Sequence, residues 1–248
     1  MEEQAAQQPT ASLGDLIINV FSSPSDAFAG LRNTPARGSV WIIPMLITIL
    51  LTAGFTYVMF SNETLKEQAL EAQRKAIEER VASGSMSQAD ADRAAEGMEQ
   101  MGGMIMVIAM VSAVVVMAVV FFAAALVLWL AGKLVLKSPA GYAKYLEVYG
   151  LSNWIGSLGL IVTILMAVAM NSLYATPSLG LAVFSEYDSA NTLHRVLSAI
   201  NVFGAWQMII VGIGMSKLSD KSTGMGIGLA AVLWVIWIAI AVALGFAR

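Results

Sequence analysis

Few side chains in this sequence are of the types that carry out acid, base or metal chemistry. Cysteine is absent, and His194 is the only histidine. A serine hydrolase needs a general base within reach of its serine, and an HExxH metallopeptidase needs two histidines on one helix. His194 stands beside Arg195 at the end of an apolar stretch, which is typical of a capping or interfacial residue. We therefore expect no catalytic residue, no cofactor and no metal site.

Methionine is the one potential metal ligand that clusters along the chain. Seven of the fifteen methionines fall between residues 86 and 117. Met98, Met101 and Met104 follow one another at three-residue spacing, and Met106 and Met110 come next. Thioethers can hold copper(I), but no histidine or cysteine supports them here. Flexible filling of gaps between helices is therefore the favoured interpretation of the cluster at 98–110.

Two further patterns concern contacts between helices. Gly224 and Gly228 form a GxxxG pattern, which lets membrane helices approach closely. No predicted strand precedes this pattern, so it does not indicate dinucleotide binding. Uncharged amides lie in or beside the third and fourth apolar stretches, at Asn153, Asn171, Asn201 and Gln207. They are typical of hydrogen bonds between helices, with a polar pore lining as the alternative.

The elements that carry these residues are predicted to be membrane-spanning helices. Hydrophobic residues make up 58% of the 248 residues and charged residues 12%, whereas soluble proteins carry about 25% charged residues. A helix needs about 20 apolar residues to cross a bilayer. Five charge-free stretches reach that length and predict an all-α fold with spans at residues 39–61, 103–132, 148–171, 196–217 and 224–246. The net charge of −3 argues against a nucleic-acid partner.

Charge position also orients the spans and limits their chemistry. Lysines crowd the loop after span two, and Lys217 and Lys221 lie before span five. The positive-inside rule therefore predicts a cytoplasmic N-terminus and a C-terminus on the outer side. Glu147 and Lys133 fall at span edges, so no acid or base is expected at depth, where ionisable groups mark ion paths and proton relays.

The segments between and before the spans are predicted to be short helices and loops. Residues 1–11 are expected to form a disordered tail. Residues 12–38 are expected to form two short interfacial helices, which either pack on the core or sense lipid. The residues at 172–195 predict an outer loop.

Residues 62–102 predict a polar helical hairpin between spans one and two. Good helix formers fill its first half, and Ser83-Gly84-Ser85 breaks the helix. The hairpin is either a solvated spacer or a docking surface. The second interpretation depends on apolar residues at helical spacing, namely Leu70, Ile77, Met98 and Met101.

Several short motifs occur in an informative order along the chain. Pro24 and Phe28 lie in a Ser-Pro-Ser-Asp-Ala-Phe segment before span one, and Tyr149-Gly150 opens span three. Trp206 ends an Asn-Val-Phe-Gly-Ala-Trp segment that is followed by Gly212-Ile-Gly-Met-Ser. Over residues 12–247 this order resembles bacterial members of the Yip (Rab/Ypt-interacting protein) family. The interaction candidates are the residues of these motifs and of GxxxG: Pro24, Phe28, Tyr149, Gly150, Trp206, Gly212, Gly224 and Gly228.

The resemblance implies one five-helix domain with a cytoplasmic N-terminus in a bacterial inner (plasma) membrane. Eukaryotic relatives are associated with Rab GTPase binding, vesicle formation and membrane shaping. Leu151 stands where the second tyrosine of a Tyr-Gly-Tyr motif would be, and the long cytosolic N-terminal region of eukaryotic members is missing. A Rab-type GTPase is therefore not the expected partner.

The leading functional hypothesis is a non-enzymatic membrane scaffold or adaptor that binds proteins or lipids in membrane organisation or trafficking. Its expected partners are the lipid bilayer and either another membrane protein or further copies of the chain. The alternative is a channel or facilitator for a small solute, lined by polar residues of spans three and four. An intramembrane enzyme would need a catalytic group that the sequence does not reveal.

Overall fold

The computed structural model describes residues 11–101 and 104–244, apart from the side chains of residues 98–101. These described residues form ten α-helices and two short 3₁₀ turns, and their only β pairing is an isolated bridge between Ser178 and Asn201. The predicted all-α fold is thus confirmed. The predicted disordered tail, apart from Ala11, lies outside the described residues, as do residues 102–103 and the end of the predicted fifth span.

The helices are named in chain order. They are α1 (Leu13–Ser22), α2 (Pro24–Arg32), α3 (Gly38–Ser61), α4 (Glu63–Ala82), α5 (Gln88–Met101), α6 (Met104–Leu134), α7 (Tyr142–Met170), α8 (Thr192–Ala199), α9 (Val202–Ser219) and α10 (Thr223–Ala243). Five of them, α3, α6, α7, α9 and α10, are long and apolar enough to cross a membrane. The five predicted spans therefore correspond to five helices of the structure.

Two of these helices begin at other positions than the sequence indicates. α7 begins at Tyr142 rather than at residue 148, because Lys144 and Glu147 pair with each other inside its first turns. The predicted span at 196–217 is divided into α8 and α9. Asn201 causes the division, since its side-chain oxygen accepts the backbone N–H groups of Phe203 and Gly204 and so starts a new helix.

Local capping explains the two N-terminal helices. Ser12 and Asp15 form a reciprocal capping box at the start of α1, and Pro24 occupies the first turn of α2, where its missing N–H is not needed. The inner faces of the two helices are fully buried, including Leu16 and Phe28. Core packing is thus present in the structure, while Ile18 on α1 stays 66% exposed.

The chain divides into two compact units. The first unit comprises Met1–Leu46, Phe121–Ile155 and Trp206–Trp234, and the second comprises Ile47–Val120, Gly156–Ala205 and Val235–Arg248. In the first unit, a core of Phe121, Ala125 and Leu146 packs against residues that include Trp41 and Tyr149. In the second unit, a smaller core is formed by Ala241 and Val242 with Val196, Ala199 and Ile238.

Candidate interaction site

The polar segment between α3 and α6 forms an antiparallel pair of helices, here called the α4–α5 hairpin (residues 63–101). Asn62 starts α4 by accepting the backbone N–H of Leu65. Gly84 takes φ +72° in the turn, which only glycine adopts without strain. Ser87 then begins α5, since its hydroxyl accepts the N–H of Asp90. The predicted break at residues 83–85 is therefore confirmed.

Hydrogen bonds fasten α4 to the segment that follows α7. The side-chain amide of Gln68 donates to the carbonyl of Asn171 at 3.0 Å and accepts the N–H of Leu173 at 2.9 Å. Asn62 donates to the side-chain oxygen of Asn171 at 3.2 Å. Because one glutamine satisfies two backbone groups on the same turn, α4 is held in one position on this part of the second unit.

Lys75 lies further along α4, near the charges of the loop between α7 and α8. Lys75 donates to Glu71 at 3.0 Å. This hydrogen bond and the charge of Glu71 raise the pKa of Lys75, and the nearby Tyr174 and Asp188 raise it further. The same face of α4 that carries Gln68 thus meets the loop between α7 and α8, which leaves its other face for α5.

A groove of about 580 Å³ lies between α4, α5 and the first turn of α6. Its apolar lining residues, here called the floor, are Leu70, Ile77, Ala91, Ala95 and Ile105. Its charged and polar lining residues are Lys66, Arg74, Glu78, Gln88 and Asp92. The volume falls within the range of about 300–1,000 Å³ that is typical of ligand sites. The predicted apolar stripe of Leu70 and Ile77 is therefore lined up in this groove, whereas Met98 and Met101 lie outside the described side chains.

The family-motif candidates lie elsewhere, in the first unit, where most of them make packing contacts. Phe28 is fully buried and lies against Gly214, and half-buried Pro24 opens its helix. Tyr149 packs on Phe121 with ring centroids 5.1 Å apart, and Trp206 packs edge-on against Phe21 at 5.9 Å. The structure thus gives these residues structural contacts, and their role in binding a partner stays a prediction.

Close helix approach occurs at specific glycines. A Cβ at Gly150 would lie 2.5 Å from the Cα of Trp41, and one at Gly212 would lie 2.5 Å from the Cα of Ile227. In α10 the glycine at the contact is Gly226, which faces Gly212 and Ser216. A Cβ at Gly224 or at Gly228 would meet no described atom within 4 Å. Within this chain, then, the packing of α9 on α10 uses the glycine between the two GxxxG positions.

The predicted amide contacts are found in part. Gln207 donates to the side-chain oxygen of Asn153 at 3.2 Å, which links α9 to α7 as expected. Asn171 bonds with Asn62 and with Gln68. Asn201 differs from the expectation, since its side chain caps α9. A fourth polar contact, between buried Thr48 and Ser157 at 2.9 Å, was not foreseen from the sequence.

A buried ion pair at the start of α7 is the clearest residue-level correction. Glu147 was placed at a span edge, but its side chain is 0% exposed. Its carboxylate accepts Lys144 Nζ at 2.7 Å and the backbone N–H of Arg37 at 2.7 Å. The burial of this ion pair could not be found by counting charge-free residues, because that criterion ends a predicted span at the first charged residue. The i, i+3 spacing of lysine and glutamate was the available signal.

The described residues contain no group of three or more His, Asp or Glu side chains that could hold a metal ion. His194 accepts the N–H of Asp188 through Nδ1 at 3.0 Å and lies beside the ring of Tyr187. The predicted capping or interfacial role of His194 is consistent with this loop contact.

Five long apolar helices define a multi-pass membrane protein. The sequence matches the Yip1 domain family over residues 18–245, so the chain belongs to that family and the resemblance found in its motifs is confirmed. It is 27% identical over 236 residues to membrane protein YknW of Bacillus subtilis (strain 168), with 92% of this chain and 88% of YknW covered. No solved structure matches the chain.

Proposed function

We propose that this protein is a non-enzymatic scaffold or adaptor of a bacterial plasma membrane, and that it binds another component through the α4–α5 hairpin. The observation that carries the proposal is the groove of about 580 Å³ on this hairpin. Gln68 fixes α4 to a neighbouring loop, so the groove is preorganised. Preorganisation lowers the entropy lost when a partner binds.

The side of the membrane on which the hairpin would lie follows from the proposed topology. An odd number of spans would put the two termini in opposite compartments, and the lysines near short loops favour a cytoplasmic N-terminus. The hairpin follows the first span and would then face the outside. The molecules that bind to the hairpin would be other membrane proteins, further copies of this chain or lipids.

The scaffold proposal is tested by removing the hairpin. We expect that deletion of residues 64–100 abolishes cross-linking to specific partners in native membranes, as read by mass spectrometry, while the shortened protein still inserts. A milder variant, Ala95→Trp, fills the groove, and Ala89→Trp changes an exposed alanine of α5 that does not line it. If every cross-linked partner persists in the deletion and in Ala95→Trp, the scaffold function of the hairpin is wrong.

The channel alternative has no comparable feature in its favour. Gln207 donates a hydrogen bond to the side-chain oxygen of Asn153, and the buried hydroxyl of Thr48 bonds with that of Ser157. These contacts support helix packing. Liposome flux of small solutes through the purified protein tests the alternative, and flux that Gln207→Leu abolishes would favour it over the scaffold.

A further inference from the structure

We propose that the groove of the α4–α5 hairpin binds an aminophospholipid, with its phosphate on Lys66 and Arg74 and its primary ammonium on Glu78 and Asp92. This inference rests on the proposed function, because it uses the same hairpin. It names a lipid as one of the molecules that bind to the hairpin. A lipid of the phosphatidylethanolamine type carries both groups next to each other.

The groove lies where two spans leave the membrane. Lys66 follows the last residue of α3 by five positions, and Ile105 is the second residue of α6. Both α3 and α6 are long and apolar enough to cross a bilayer, and α6 contributes Ile105 to the lining of the groove. The lower end of the groove is therefore at the membrane surface, so bilayer phospholipid is the ligand at highest local concentration.

The charges of the groove have both signs and are arranged in order. Lys66, Arg74 and Glu78 share one face of α4, at spacings of eight and four residues. Arg74 and Glu78 are thus about 6 Å apart along the helix axis. Starting from the membrane end, the two cations come before the acid, which is the order of phosphate and ammonium in a phospholipid that enters from the bilayer.

These side chains are available for a ligand. Among the described residues, Lys66, Arg74 and Glu78 form no ion pair, and all three are exposed. Asp92 on α5 accepts a hydrogen bond from Gln88 and keeps its second carboxylate oxygen. Arginine and lysine both bind phosphate oxygens well, and carboxylates accept hydrogen bonds from a primary ammonium. The groove therefore complements a zwitterionic headgroup better than a purely anionic one.

The floor suits the acyl part of the same molecule. Leu70 and Ile77 on α4 face the small side chains of Ala91 and Ala95 on α5, which leaves the groove open. Ile105 continues this apolar surface into α6. An acyl chain that lies on Leu70 and Ile105, toward the membrane end of the groove, would remove apolar surface from water, at about 25 cal/mol per Å².

The test compares three lipids on the full-length protein. Native mass spectrometry of detergent-solubilised protein with added phosphatidylethanolamine, phosphatidylcholine or phosphatidylglycerol gives the affinity for each. Phosphatidylcholine has the phosphate but no N–H donor, and phosphatidylglycerol has no ammonium. We expect preferential binding of phosphatidylethanolamine. The double variant Glu78→Gln with Asp92→Asn should weaken this lipid about tenfold, to the level of phosphatidylcholine. Arg74→Gln should weaken all three lipids.

A matched control removes two hairpin carboxylates outside the groove, through Glu79→Gln with Glu96→Gln. It should leave lipid binding unchanged, and helicity by circular dichroism should be equal in all variants. Equal binding of the three lipids, or an unchanged preference in the Glu78/Asp92 variant, would overturn the inference. So would a groove variant that alters only the oligomeric mass, because the groove would then be a protein interface. Lipid binding is measured without any partner protein, so this failure is distinguishable from that of the scaffold.

Discussion

At the residue scale, the buried Glu147–Lys144 pair at the start of α7 is an interaction whose loss should be costly. Both side chains are withdrawn from water, at 0% and 12% exposure. Such a pair contributes little net stability compared with apolar residues, but breaking it leaves a buried charge without a partner. The pair therefore holds the beginning of α7 beside Arg37, whose N–H it also accepts.

A prediction about stability follows from this geometry. Lys144→Met leaves the Glu147 carboxylate buried and unpaired, which should destabilise the fold by about 3–5 kcal/mol. Adding Glu147→Gln should recover most of the loss, since the amide oxygen still accepts the N–H of Arg37. Thermal unfolding in detergent measures both variants. A double variant as unstable as Lys144→Met alone would contradict this account of the pair.

The glycines of α9 and α10 provide a second prediction, with a built-in control. Gly212→Ala places a methyl group 2.5 Å from the Cα of Ile227, so the two backbones must separate, at about 1–3 kcal/mol. Gly228→Ala enters open space and should be neutral or stabilising, by up to about 1 kcal/mol from helix propensity. The measurement is the unfolding temperature of each variant. The opposite ranking would show that Gly228 packs against something in the native membrane.

The residue types in the sequence predicted the contacts between the spanning helices only in part. The link between Gln207 and Asn153 was predicted, because a membrane helix must satisfy its amides inside the protein. The sequence could not choose between Gly224, Gly226 and Gly228, since the helix face that meets a neighbour depends on rotation about the helix axis. The groove residues of α5 were likewise hidden among alanines that have no distinctive chemistry.

At the level of the helices, the attachment of α4 to the loop after α7 determines whether the hairpin is held in one orientation or moves freely. Gln68 makes both contacts to that loop. Gln68→Leu should therefore increase hydrogen exchange in α4 and around residues 171–173, because the two backbone groups lose their protein partner. Gln73→Leu, at an exposed position of the same helix, is the control. Unchanged exchange in Gln68→Leu would mean that other contacts hold α4.

A pH-dependent contact connects α2 to the turn between α9 and α10. The pKa of Asp220 lies below its usual value because Arg32 donates a hydrogen bond to its carboxylate and attracts its charge. A carboxyl whose pKa is lowered on folding stabilises the fold above its unfolded pKa, and this contribution is lost as the pH falls through the folded value. The contact is therefore intact at neutral pH and lost in strong acid.

The corresponding variant is Asp220→Asn, which also suits the positive φ of 54° at this position. At pH 7 it should increase hydrogen exchange in α2 relative to the unmodified protein. Acidification below the lowered pKa should bring the unmodified protein to the level of the variant, after correction for the intrinsic pH dependence of exchange. A difference that survives at low pH would assign the effect to something other than the ion pair.

Helix positions were largely predictable, because long apolar stretches have few alternatives in a membrane. Two predicted helix boundaries were wrong, and in each case a local side-chain contact is the reason. A paired lysine and glutamate extended α7 toward its N-terminus, and the side chain of Asn201 divided the predicted fourth span. Both effects depend on where a side chain bonds, which composition does not reveal.

At the scale of the whole molecule, the five-span architecture and the Yip1 domain agree over nearly the same residues. The order of the short motifs along the sequence was sufficient to indicate the family. The partner could not be recognised in the same way. Exposed apolar residues on a membrane helix meet lipid or protein equally well, so their pattern does not distinguish a free face from an interface.

The proposed topology would put the α4–α5 hairpin on the outer side of the membrane and the turn between α9 and α10 on the inner side. The chain has no cysteine, so single cysteines report position without background. We predict that a membrane-impermeant maleimide labels Ser85→Cys in intact cells and labels Lys221→Cys only after the membrane is opened. Labelling of both positions in intact cells, or of Lys221→Cys alone, would contradict the five-span topology with an external hairpin.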